Sequence, residues 1–77
     1  LIGVGVTINT GDDRIGSTID EIKFPSYSRV AFIQRLDPDG ERVTLAANSD
    51  RVLQEGDRLL CFLPPDRFDD FMKRVVV

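Results

Sequence analysis

Histidine and tryptophan are absent from these 77 residues, and cysteine occurs once. Without histidine, a Ser-His-Asp triad, imidazole metal ligation and the usual proton shuttle near neutral pH have no side chain to use. One thiol cannot close an internal disulfide, and no Cys/His cluster of zinc-site spacing exists. Long apolar runs are also missing. The longest, Leu59 to Leu63, falls far short of the roughly 18 residues of a membrane helix, so direct membrane insertion is not expected. Ten Lys and Arg stand against 13 Asp and Glu, for a formal charge of −3. The basic residues are scattered rather than gathered into the stripe that a nucleic-acid polymer requires.

What is present is an ordinary globular balance: 42% hydrophobic, 30% charged and 8% aromatic residues, which excludes disorder and a collagen-like chain. The length allows one domain, residues 1–77, with a small core that a partner surface would help to stabilise. The sequence opens on Leu1 without a charged-then-apolar leader, and it reads as a domain excised from a longer protein.

Val4, Val6 and Ile8 alternate with Gly3, Gly5 and Thr7, the period of a half-buried strand. The polar cluster Thr10-Gly11-Asp12-Asp13 ends it. Ile15, Ile19 and Ile22 then mark one face of a short helix, started by a capping box at Ser17/Asp20 or Thr18/Glu21 and ended before Pro25. Arg29 to Leu36 predicts a second strand, apolar on both faces at Val30 to Ile33 and therefore covered on both. Asp37-Pro38-Asp39-Gly40 turns it into a partner strand, Arg42 to Leu45, with Val43 and Leu45 inward. A polar loop pinned by Val52 and Leu53 leads through the Gly56-Asp57 turn to a wholly apolar strand, Leu59 to Leu63. After Pro64-Pro65, the residues Phe68, Phe71, Met72 and Val75 form an amphipathic stripe. Asp66, Asp69 and Asp70 open that helix and Lys73 and Arg74 close it, as the helix dipole favours. The expected fold is α+β: strand, short helix, hairpin, strand and C-terminal helix around one small four-stranded sheet.

Few groups here carry chemistry. Gly3-x-Gly5 lacks the third glycine of a dinucleotide loop, because Ile8 stands there. Asp37-x-Asp39-Gly40 opens like a calcium loop but lacks its remaining ligands. Asp12-Asp13 and Asp66/Asp69/Asp70 suit solvent and helix termini as well as they suit acid–base or metal work. Cys61 sits in an apolar strand without an activating neighbour. No catalytic constellation assembles, so the chain does not read as an enzyme, and no cofactor is expected. Arg29 is the charge that stands out. It follows the turn Pro25-Ser26-Tyr27-Ser28, where hydroxyls, backbone donors and a guanidinium converge in the manner of an anion site. The plainer reading is a strand-edge arginine facing water, Asp20 or Glu21.

Three segments, taken in order, resemble the TrkA-C domain, also called the C-terminal RCK domain, of cation transporters and channels. Ile15-Gly16-Ser17-Thr18-Ile19-Asp20-Glu21-Ile22 is similar to the family's G-K-T-L-x-E-L helix start, with Ser17 where lysine is usual. Val30-Ala31-Phe32-Ile33-Gln34-Arg35 is similar to its V-x-A-I-x-R strand. Asn48 to Leu60 resembles its D-T-x-L-x-x-G-D-x-L run, with Arg51 at the common threonine. The resemblance spans residues 3–75. It implies a cytoplasmic regulatory module of a potassium or sodium/proton transport system that pairs into homodimers. Its other partner would be the parent membrane transporter or a nucleotide-binding RCK domain. Some members sense a small anionic ligand, the cyclic dinucleotide c-di-AMP, in a groove between two copies. Carried over, that groove falls on Tyr27, Ser28, Arg29 and Val30. The alternative from a different class is a purely structural dimerisation module without a ligand.

Overall fold

Alternation in the strands and a late apolar strand between two earlier ones decide the architecture. A computed structural model of the chain describes residues 1–76. Four antiparallel strands, β1 (Ile2–Thr7), β2 (Arg29–Leu36), β3 (Arg42–Ala46) and β4 (Arg58–Leu63), form one sheet in the order β1-β4-β2-β3. The most apolar strand, β4, therefore lies inside, with Val4 opposite Cys61 and Val6 opposite Leu59 on one side. On its other side Leu59 faces Ile33. Val4, Val6, Ile8, Ile33, Leu59, Cys61 and Leu63 share the covered face with Leu53 and Phe71 and make the buried core. Asp37-Pro38-Asp39-Gly40 forms the hairpin turn, with Gly40 at φ 86° and the Asp37 carboxylate accepting from the Asp39 and Glu41 amides. That carboxylate serves the turn.

Three expectations need correction. The helix marked by Ile15, Ile19 and Ile22 is one turn, α1 (Ile19–Ile22). Thr18 is extended and caps it, its hydroxyl accepting from the Glu21 amide while the Glu21 carboxylate accepts from the Thr18 amide. An extended cap excludes helix before it, so Ile15 lies in a turn and is 37% exposed. Second, only one face of β2 is covered by the described residues. The run Val30 to Ile33 departs from alternation because a bulge at Ala31 shifts the register, returning Val30 and Ile33 to one face. Third, Val43 is exposed on β3, near the free edge, while Leu45 is half-buried.

The C-terminal segment begins with the Pro65–Arg67 3-10 turn, continues as α2 (Phe68–Phe71) and ends in a π-helical turn, Met72–Val76. Phe71 is buried, Met72 and Val75 are half-buried, and Phe68 stays on the surface.

Arg14 ties the segment after β1 to this C-terminal segment. Its Nε and Nη2 donate to the Asp12 carboxylate at 2.9 and 2.7 Å, and its Nη1 donates to the Val75 carbonyl at 2.9 Å. The guanidinium holds the Asp12 carboxyl below its ordinary 3.8. Folded Asp12 thus stays charged at lower pH than unfolded Asp12, so the pair's stabilisation is complete above that value and is lost as pH falls below it through the lower folded pKa. Both side chains are partly solvated, so its worth is about 1 kcal/mol. Asp12→Asn should therefore lower the urea midpoint more at about pH 6 than at about pH 3. Equal losses at both pH values would exclude the ion pair as the cause.

Candidate functional site

The sequence places a proline two residues after Lys23, and the site grows from that constraint. Pro25 disfavours a helical Phe24, so α1 ends at Lys23, which adopts a left-handed φ of 55°. Pro25 is buried, and its carbonyl accepts from the Ser28 amide at 2.9 Å and the Ser28 hydroxyl at 2.7 Å, closing the turn into β2. On the far side, the Ile19 amide donates to the Arg51 carbonyl and the Asp20 amide to the Ser49 carbonyl. Thr18 pairs with Val52 in an isolated bridge. These bonds fix α1 against the loop before β4.

Between α1, the head of β2 and that loop lies an open groove of about 440 Å³. Ile19, Phe24, Val30 and Ala47 give it apolar walls, and Ser28 and Ser49 bring hydroxyls. Lys23 and Arg29 line it as cations, against the single carboxylate of Asp20. Arg29 is exposed and makes no ion pair among the described residues, so its pairing with Asp20 or Glu21 is not formed. Its five donors are free to meet an anion.

Three of the four sequence-predicted residues, Ser28, Arg29 and Val30, come together here. Tyr27 does not. Its hydroxyl donates to Asp70 at 2.6 Å, and the Arg67 guanidinium lies 5.4 Å from the ring centre, so Tyr27 docks the turn onto the C-terminal segment. Burial and the Asp70 carboxylate raise the Tyr27 pKa, and the Tyr27 hydroxyl in turn lowers that of Asp70. Lys23, Phe24 and Ser49 were missed. The first two had a signal in the proline that stops the helix, whereas Ser49 reaches the groove only through backbone bonds across the fold.

The remaining candidates have structural roles. Burial raises the Cys61 thiol to about 11, so it is protonated and unreactive near neutral pH. Asp70 is engaged by Tyr27 and, at 3.4 Å, by Arg74. The paired glycines of β1 lie on the uncovered face, where the Arg58 side chain stretches over Gly5 and Phe62 over Gly3. A Cβ at Gly5 would come within 3.0 Å of the Arg58 Nε.

The site can hold a small anion with an apolar or aromatic body: two cations at the rim and hydrophobic walls beneath them. No family model and no curated protein matches the chain.

Proposed function

We propose that this chain is a cytoplasmic regulatory module of a potassium or sodium/proton transport system, one that dimerises and senses a small anionic ligand such as a cyclic dinucleotide. The observation that carries ligand sensing is the groove at the head of β2, where Arg29 and Lys23 stand over apolar walls without carboxylate partners among the described residues. The link to transport rests on the three ordered segments that resemble the TrkA-C domain. The observed order of strand, helix, hairpin, strand and helix supports it. Regulation then follows from linkage. A ligand shared by two copies favours the dimer geometry that encloses it, and it shifts the attached transporter only by its differential affinity for that geometry.

Calorimetric titration of the chain with c-di-AMP, alongside linear adenine dinucleotides and mononucleotides, tests this reading. We expect saturable binding at one ligand per two chains, with the mass in solution moving to the dimer. Arg29→Ala should weaken binding by about 10- to 100-fold, the worth of a charge-assisted hydrogen bond, while leaving the melting temperature in place. Absence of heat and of any mass change with every compound would reject it.

Self-association without a ligand is the second reading. The uncovered sheet face favours it, for Gly5, Leu60, Phe32 and Ala46 align as one row across all four strands, with the Arg58 side chain lying over its Gly5 end. A dimer unaffected by any of these compounds or by Arg29→Ala would support that reading instead.

A further inference from the structure

A second groove, of about 310 Å³, lies on the other side of Phe24. Three separated stretches wall it: the turn segment Asp13 to Ser17, the Ile22 to Pro25 link, and the end of the C-terminal segment at Arg74 and Val75. Its size is at the lower end of the range for small-molecule sites, which run from about 300 to 1,000 Å³.

The lining carries both signs of charge. Arg14 is held in place by Asp12 and the Val75 carbonyl, and these bonds use three of its N–H donors. A guanidinium has five, so two remain for a ligand without further ordering of the side chain. Arg74 has only the long 3.4 Å contact to Asp70, and its side chain is 56% exposed. Lys23 has no ion-pair partner among the described residues, and its backbone holds a left-handed conformation that residues with a side chain rarely adopt. Asp13, in the same lining, is exposed and likewise unpaired among the described residues. Ile22, Phe24, Pro25 and Val75 supply an apolar wall. A purely anionic ligand would leave Asp13 repelling it, and a purely cationic one would meet three positive groups. A molecule bearing both charges beside an apolar group satisfies the whole lining.

We propose that the groove walled by Asp13, Arg14, Lys23, Phe24, Pro25 and Arg74 binds a small zwitterion, an α-amino acid with an apolar side chain. Its carboxylate meets the Arg14 and Arg74 donors, its ammonium meets Asp13, and its side chain lies on Phe24 and Pro25. The site is distinct from the Arg29 groove, although Lys23 and Phe24 form the partition between the two.

Amide-resolved NMR titration of the chain with L-phenylalanine tests the assignment, with 3-phenylpropionate, which lacks the ammonium, and phenethylamine, which lacks the carboxylate, as comparators. We expect saturable shifts at Asp13, Arg14, Ser17 and Val75, and affinities at least about tenfold weaker for both comparators. Arg74→Ala should weaken L-phenylalanine by about tenfold, and Asp13→Asn should abolish its advantage over 3-phenylpropionate. Both positions are exposed, and unchanged melting temperatures would show that the variants fold. Arg29→Ala should leave this titration untouched while weakening c-di-AMP, so the two sites stand or fall separately. Shifts that never saturate, equal affinity for L-phenylalanine and 3-phenylpropionate, or shifts centred on Ser28 and Arg29 would each overturn the proposal.

Discussion

Asp57→Ala is expected to remove about 3–5 kcal/mol of folding free energy, the cost of stranding one half of a buried ion pair. Domains of this size have roughly 4–12 kcal/mol in total, so the variant gives up about a quarter of its stability or more. Asp57 is fully buried, the one charged residue so placed among those described. Its Oδ1 accepts from Arg35 Nε at 2.9 Å, and its Oδ2 accepts from Arg35 Nη2 and the Gln54 amide at 2.8 and 2.9 Å. Arg35 also donates to the Val52 carbonyl, so β2 and the long loop meet at this carboxylate. The Asp57 carbonyl accepts from the Ile8 amide, which adds the end of β1. Truncation leaves the guanidinium, the Gln54 amide and a hole in one place. Arg35→Ala should cost less, because its side chain keeps some solvent contact. The double variant should lose less than the sum of the two singles, since removing both charges leaves neither unpaired. Urea unfolding of all four proteins measures this. A loss below about 1 kcal/mol for Asp57→Ala would show that water replaces the carboxylate without difficulty.

Phe71→Ala should cost about 3–5 kcal/mol as well, but with a different signature. Phe71 is the only fully buried side chain of the C-terminal segment among the described residues. That segment passes through 3-10, α and π geometry within a dozen residues, too short and irregular to persist alone. Its docking depends on this ring, with Met72 and Val75 beside it. Removing the ring should release the segment and break the Tyr27–Asp70 bond with it. Hydrogen exchange is the measurement that separates this from general weakening. Amides of 68–76 should lose protection first and most, while β4 keeps the larger part of its own. Uniform loss along the chain would mean that sheet and C-terminal segment unfold as one unit.

The strands were legible because alternation and turn residues are local: Val4, Val6 and Ile8, then the Asp37 to Gly40 turn, each announce themselves within a few positions. So was the capping box, though the chain alone left Ser17/Asp20 and Thr18/Glu21 open. The rest depends on contacts between distant residues. Apolar Val30 to Ile33 looks alike whether two layers cover it or a bulge rotates part of it, and only pairing with Leu59 to Phe62 distinguishes them. Gly56-Asp57 read as a turn, which Gly56 at φ 87° satisfies, but the burial of Asp57 requires Arg35, far off in sequence. The candidate site divides the same way. Ser28, Arg29 and Val30 adjoin in the chain and stay together, whereas Tyr27 is drawn aside by Asp70 and Arg67.

The strand order also dictates when during biosynthesis this fold can form. The hairpin of β2 and β3 can close while the chain is still emerging from the ribosome, but β1 waits for β4, which comes from the opposite end of the sequence. Until then Ile2–Thr7 is a nascent strand with both edges unsatisfied, rich in valine and without charge. Slow translation between β3 and β4 would lengthen that exposed interval, during which β1 depends most on protection by a chaperone.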